Sequence, residues 1–224
     1  MPARALGNPG ERLGARRQRP FFAWPGWPHL GYACALGLAN GLWFALVFVG
    51  GDLLTAHRAQ RVAVHLDAEL SIPLVPWMTA VYMSIYLLFL AAPFVLRTRR
   101  EFRAAIATLA AVIALAGLGF LLVPAELAFP PARPADLGIW AQTYHLADRW
   151  NLTYNLVPSL HVALTVACIA IFSRHTAGSR KAVLWLWAAA VALSTVLTHQ
   201  HHILDAVAGW LLAIACVSWV YDRM

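Results

Sequence analysis

Residues 157–173 read Val157-Pro158-Ser159-Leu160-His161-Val162-Ala163-Leu164-Thr165-Val166-Ala167-Cys168-Ile169-Ala170-Ile171-Phe172-Ser173: a proline–serine start, one histidine, then an apolar run. A second stretch, His199-Gln200-His201-His202-Ile203-Leu204-Asp205, leads into another apolar run at 203–221. Further runs long enough to cross a bilayer as helices lie at 30–50, 72–96, 104–124 and 182–198. The two shortest, 157–173 and 182–198, sit close to the lower limit of a span. Ionisable side chains are costly beside lipid and usually face an interior cavity. A histidine at the edge of such a run therefore marks a reaction or transport site.

Composition agrees with a membrane protein. The chain is 61% hydrophobic and 12% charged, with mean hydropathy +0.64, a balance unsuited to a small soluble domain. Six spans with short connections leave room for one helical bundle, residues 30–221, and for no second soluble domain. Residues 1–29, rich in Arg, Pro and Gly, read as a flexible basic cytoplasmic tail. The run after them is too long for the apolar core of a signal peptide, and no small-residue cleavage site follows. Cys34, Cys168 and Cys216 all fall inside spans, which speaks against a disulfide framework.

The net charge of +7 would suit a nucleic-acid partner, but its distribution argues for none. Basic residues cluster at Arg4–Arg19, at Arg97–Arg103, at Arg174–Lys181 and at Arg223. These positions precede the first span, join the second to the third and the fourth to the fifth, and follow the sixth. All lie on one side, which the positive-inside rule makes cytoplasmic, with both termini there. The excess then reports orientation and contact with anionic lipid. Asp52, Asp67, Glu69, Glu126, Asp136 and Asp148 fall on the opposite side, as do seven of the nine histidines or their edges.

Three connections face outward. The first, 51–71, reads as an interfacial helix of open role. The second, 125–156, carries Phe129-Pro130-Pro131-Ala132-Arg133-Pro134 and then Tyr144, His145, Asp148 and Arg149. The third is the histidine turn. Proline favours the first helical position, so Pro158 opens the fourth span, with Asn155 or Ser159 to satisfy free backbone donors. Such a helix start suits a bound anion, and His161 would lie beside it. His201 and Asp205 stand four apart, His202 and Asp205 three apart, and both spacings bring imidazole and carboxylate together on a helix. A carboxylate on one ring nitrogen frees the other as base or nucleophile. Periodicity alone does not choose between the two histidines. Arg133, stiffened by its prolines, offers a planar guanidinium suited to phosphate oxygens.

Taken together, Asn155-Leu156-Val157-Pro158-Ser159-Leu160-His161-Val162-Ala163 and Ser194-Thr195-Val196-Leu197-Thr198, running into His201 and Asp205-Ala206-Val207-Ala208-Gly209, resemble the type 2 phosphatidic acid phosphatase (PAP2) superfamily, especially its inositolphosphotransferase-like branch. The resemblance covers roughly residues 70–221. It implies an all-α, polytopic six-transmembrane-helix bundle of the PAP2/chloroperoxidase-like type. It also implies a metal-independent enzyme without cofactor that cleaves a lipid phosphate ester through a phosphohistidine. By that resemblance His201 attacks phosphorus, Asp205 orients it, and His161 protonates the leaving oxygen and then activates water or an alcohol. Arg133 and Ser159 would hold the phosphoryl oxygens, with His199 (when protonated) or Arg149 supplying missing positive charge. The chain departs from the superfamily pattern at Glu126 and Thr195, where relatives carry lysine and arginine, and at Leu160, where phosphatases carry glycine. These departures favour the phosphotransferase-like branch.

Two other readings compete. A histidine-rich metal- or haem-binding membrane protein would use the imidazoles but leaves the Pro-Ser-Leu-His start and Arg133 unexplained. A transporter would fit the spans, yet no inverted repeat is evident. The expected partners are a lipid phosphate and membrane lipids. The expected location is a bacterial inner or cell membrane with the site on the non-cytoplasmic face. Substrate identity, the split between hydrolysis and transfer, and oligomeric state are left open by the sequence.

Overall fold

A computed structural model describes residues 20–150 and 154–224, so of the proposed tail residues 1–19 lie outside the described part. Helix accounts for 74%, with no strands among the described residues, and the chain is all-α. Its helices run α1 Trp27–Ala56, α2 Met78–Met83, α3 Ile85–Val95, α4 Arg99–Leu122, α5 Pro134–Leu137, α6 Ala141–Trp150, α7 Leu160–Phe172, α8 Gly178–Leu197 and α9 Ile203–Trp219.

Each apolar run falls on this framework, but with different bounds. Five stretches are long and apolar enough to cross a membrane: Trp27–Ala56, Met78–Val95, Arg99–Leu122, Gly178–Leu197 and Ile203–Arg223. Helix α1 begins within the expected tail because Pro28 occupies its first turn, where a missing N–H costs nothing. Helix α4 starts before its apolar run because Thr98 and Glu101 form a capping box, the Thr98 hydroxyl accepting from Glu101 N at 3.1 Å. The second span breaks between α2 and α3 at Ser84, whose hydroxyl donates to Val81 O and accepts from Trp187 Nε1. Leucines such as Leu38 and Leu42 on α1, 71% and 73% exposed, form an apolar exterior of the kind a membrane-spanning helix presents.

Helix α7 is different. Its 13 residues rise only about 20 Å, short of the roughly 30 Å hydrocarbon layer. Every residue from Val162 to Phe172 is buried, chiefly against α4, α8 and α9. A helix apolar all round and covered by neighbours is a core helix. Two glycines admit its first turn. A Cβ on Gly209 of α9 would collide with Ser159 O, and one on Gly119 of α4 would collide with the Pro158 ring.

Two expectations are corrected. Pro158 does not open the helix: Ser159 is the N-cap, its hydroxyl accepting from Val162 N at 3.4 Å, and α7 begins at Leu160. Asn155 plays no part in that cap and donates instead to Phe48 O. The connection 51–71 is not an interfacial helix. Its first residues continue α1, where Thr55 bonds back to Gly51 O, and the chain then runs extended, with Val62 N donating to Pro124 O at 3.0 Å. Only a 3₁₀ turn, Asp67–Ser71, interrupts it. Main-chain pairing to a neighbouring segment displaces a surface helix here.

The bundle has two chemically distinct ends. At one, Ala23 N bonds to Phe94 O, Arg97 to Pro20 O, and Arg174 pairs with Asp222 at 2.7 Å, which gathers the basic residues of 97–103, 174–181 and 223. At the other lie the connections 51–71 and 125–156 and the histidine turn.

Candidate active site

The first histidine motif is set by its cap. Ser159 N donates to Asp205 O at 2.9 Å, which ties the start of α7 to the first turn of α9. His161 follows two residues later, its ring stacked on Tyr82 with centroids 3.7 Å apart and planes at 13°. His161 Nε2 lies 2.6 Å from Tyr82 O. A carbonyl only accepts, so Nε2 carries the proton and Nδ1 is left with its lone pair.

The second motif is shaped by the end of α8. Gln200 N and His201 N both donate to Thr195 O, at 3.0 and 3.1 Å, and His199 takes φ 56° to reverse the chain. That left-handed conformation costs a non-glycine residue on the order of 1 kcal/mol. His201 Nδ1 stands 3.4 Å from Asp205 Oδ2, off the line of a hydrogen bond, and both side chains are buried. Asp205 Oδ2 also accepts from His202 N at 2.9 Å. Asp205 thus joins both motifs, through its carboxylate to the histidine turn and through its carbonyl to Ser159.

His202 turns the other way. Its Nε2 accepts from Ala128 N at 3.1 Å, while Nδ1 lies 2.7 Å from Glu69 Oε1, again off the ring's N–H axis. Its ring stacks on Phe129 with centroids 4.9 Å apart. His199 stacks on the same phenylalanine at 4.1 Å and donates from Nε2 to Ile72 O at 3.0 Å. Burial pushes both imidazoles below their ordinary pKa and keeps them neutral. Asp205 and Glu69 oppose that shift at His202, the Ile72 carbonyl opposes it at His199, and burial outweighs them.

A cavity of about 720 Å³ opens among α1, α3, α4 and α7, and His161, His201, Asn155 and Tyr82 line it at one end. That volume lies within the usual range for a small-molecule site. Its walls are otherwise almost wholly apolar and descend α7 from His161 to Phe172, about 16 Å of helix rise. Phe94, Leu96 and Phe102 lie toward the basic end of the bundle. No lysine or arginine lines it among the described residues.

The structure therefore brings His161, His201 and Asp205 together and leaves the other candidate residues aside. Arg133 caps α5 and forks onto Asp136, Nε to Oδ2 at 2.9 Å and Nη2 to Oδ1 at 3.1 Å, with its side chain 81% exposed. This fork holds the Asp136 carboxyl below its usual range and raises the guanidinium. Arg149 is exposed on α6. Ser159 serves as the α7 cap, and His199 faces Ile72 and Phe129 rather than the cavity. Sequence reasoning missed Tyr82, Asn155 as a wall of the cavity, and Glu69. Glu69 sits in a 3₁₀ turn with no motif of its own, and its partners His202 and Ile203 lie more than a hundred residues away.

No group of three or more His, Cys, Asp or Glu side chains among the described residues is arranged to hold a metal ion. The family model of the PAP2 superfamily matches residues 64–219, well over half of the chain and inclusive of both histidine motifs. No curated protein and no solved structure matches.

Proposed function

The chain belongs to the PAP2 superfamily, whose membership suggests phosphatase activity, and from that premise we propose that it cleaves a lipid phosphate ester at the histidine end of the apolar cavity. In this reading His201 Nε2 attacks phosphorus, and the bond to the leaving oxygen breaks as the N–P bond forms. Asp205, beside Nδ1, steadies the imidazolium character that develops on the ring. His161, held by Tyr82 O through Nε2, takes up a proton from water on its free Nδ1 lone pair as the anionic substrate binds, and delivers that proton to the leaving oxygen. It then takes one from the acceptor that opens the phosphohistidine. The leaving group's charge is thereby neutralised, and no redox or metal step enters the balance.

The observation that carries this reading is that His161 and His201, forty residues apart in the chain, line one cavity whose remaining wall suits a hydrocarbon tail. The phosphoryl group would rest at the N-terminal end of α7, whose dipole favours an anion. The part first given to Arg133, Arg149 and His199 draws no support from their positions. Helix α7 makes the sixth crossing in this reading. The basic end of the bundle faces the cytoplasm, and the histidine end faces outward. An alcohol acceptor, as in the inositolphosphotransferase-like branch, is the favoured second substrate because Pro-Ser-Leu-His is the form of the motif in that branch.

A panel of lipid phosphates and phosphodiesters presented to the purified protein in detergent tests the proposal, with free phosphate and new phosphodiester as readouts. Turnover is expected in the wild type and is abolished in His201→Ala. Full turnover in His201→Ala rules the assignment out. Free phosphate alone identifies a hydrolase, and a new phosphodiester identifies a transferase.

A further inference from the structure

The connection between α1 and α2 contains a buried carboxylate that the reaction scheme does not use. Glu69 is 2% exposed, and its two oxygens make three contacts. Oε1 accepts from Leu66 N at 3.0 Å and lies 2.7 Å from His202 Nδ1, while Oε2 accepts from Ile203 N at 2.9 Å. Ile203 is the first residue of α9, so Glu69 supplies from a distant segment the acceptor that an N-cap side chain usually provides. A negative group at that helix start also complements the dipole. On its far side His202 is held by Ala128 N and by the Phe129 ring, so the imidazole spans the gap between two outer segments.

We propose that Glu69 and His202 are a positioning pair for His201, acting through the main chain of residues 202–203 and the Asp205 carboxylate. This rests on the reading above of His201 as the attacking group. The path is short. Glu69 fixes Ile203 N and the His202 ring; His202 N in turn donates to Asp205 Oδ2, the same oxygen that stands beside His201 Nδ1. Asp205 Oδ2 therefore has one main-chain donor to set its direction, and that donor belongs to the residue Glu69 braces. A buried carboxylate is expensive to keep unless every acceptor is used. A role confined to packing would be served as well by an apolar side chain. The match to Leu66 N, Ile203 N and His202 points instead to geometric control of the turn.

Two substitutions and two readouts test the pair in the full-length protein. Glu69→Gln keeps the shape and replaces one acceptor by a donor facing main-chain N–H groups. His202→Phe keeps the stack on Phe129 and removes both ring nitrogens. Partners that orient a metal-ligating histidine typically cost about 10–100-fold in activity when removed, and the same scale is taken for orienting a nucleophilic imidazole. Glu69→Gln is accordingly expected to lower kcat by about that factor with KM within about 2-fold, since transition-state alignment rather than binding is lost. In an Asp205→Asn background the same change should cost less than about 2-fold, because one path is already cut. Wild-type kcat in folded Glu69→Gln overturns the proposal, as does a loss that multiplies fully with that of Asp205→Asn.

The second readout does not need turnover. Histidine ¹⁵N NMR of the detergent-solubilised protein, with the His201 signals identified by their loss in His201→Ala, should show one tautomer protonated at Nδ1. Glu69→Gln and His202→Phe should convert it to a mixture. An unchanged His201 tautomer in both variants overturns the positioning role whatever the activity. If the wild type processes no member of the lipid panel while the tautomer shifts as expected, the reaction reading fails and the pair stands.

Discussion

Replacing Gly209 by alanine adds one methyl group at the point where α9 crosses the start of α7. The added Cβ would overlap Ser159 O, with Ala163 N and Ser159 C also within 3.3 Å. All three are main-chain atoms, so no side-chain rotation relieves the overlap and the helices must part. Overpacking of this kind typically costs about 1–3 kcal/mol. For a chain of this size that corresponds to a fall in Tm of about 2–4 °C per kcal/mol. The displacement also acts on the site, because Ser159 N is bonded to Asp205 O across the same contact. Activity in the folded fraction should therefore drop along with stability. Gly37→Ala and Gly41→Ala on α1 serve as internal controls, since a Cβ there meets nothing within 4 Å. Those two changes should leave the protein within about 1 kcal/mol of the wild type, in the direction set by the better helix propensity of alanine. Thermal unfolding in detergent, followed beside lipid-phosphate turnover, measures both effects. If Gly209→Ala unfolds no earlier than Gly37→Ala and turns over as fast as the wild type, the close crossing of α7 and α9 is not what holds the two histidine motifs together.

Two further outcomes follow from the same geometry. Arg133→Ala should leave thermal unfolding essentially where it is in the wild type, because its pair with Asp136 is open to solvent and screened by it. It should also leave KM for a lipid phosphate within about 2-fold, since the residue lies outside the cavity; a tenfold rise in KM would return Arg133 to the phosphate site. His199 and His202 have folded-state pKa values lowered by burial, so below the ordinary imidazole value of 6.5 the unfolded chain binds more protons than the folded one. Stability should hold above that value and decline as the pH falls beneath it; His199→Phe, which keeps a ring against Phe129, should shallow the decline, as urea unfolding between neutral and mildly acidic pH would show.

Much of this architecture is readable from residue order alone. Each apolar run corresponds to a helix, or at 72–96 to a broken pair, and the two helices α7 and α8 between Pro158-Ser159-Leu160-His161 and the histidine turn return the chain so that the two motifs lie at one end. Helix bounds were less accessible because caps and breaks depend on single residues, Thr98 with Glu101 at one place and Ser84 at another. The unequal fates of three adjacent histidines were not accessible at all. His199, His201 and His202 differ by which way the turn after Leu197 points each ring, and that is decided by the paired bonds to Thr195 O and by Phe129, Ile72 and Glu69 from distant segments. The fork of Arg133 onto Asp136 was within reach, since an arginine at a helix start and a carboxylate three residues on pair locally.

The absence of lysine and arginine from the described cavity wall has a bearing on which molecules can be processed. In the proposed reaction a headgroup brought to His201 would enter an apolar enclosure, with the buried Asp205 carboxylate behind the attacking ring. Transfer of an anion out of water rises steeply in cost with its charge unless cations meet it. A doubly charged monoester would meet that cost in full, whereas a singly charged diester would meet far less of it. Under the proposed reaction, discrimination would begin with how many negative charges the lipid carries, before the length or branching of its tail comes into play.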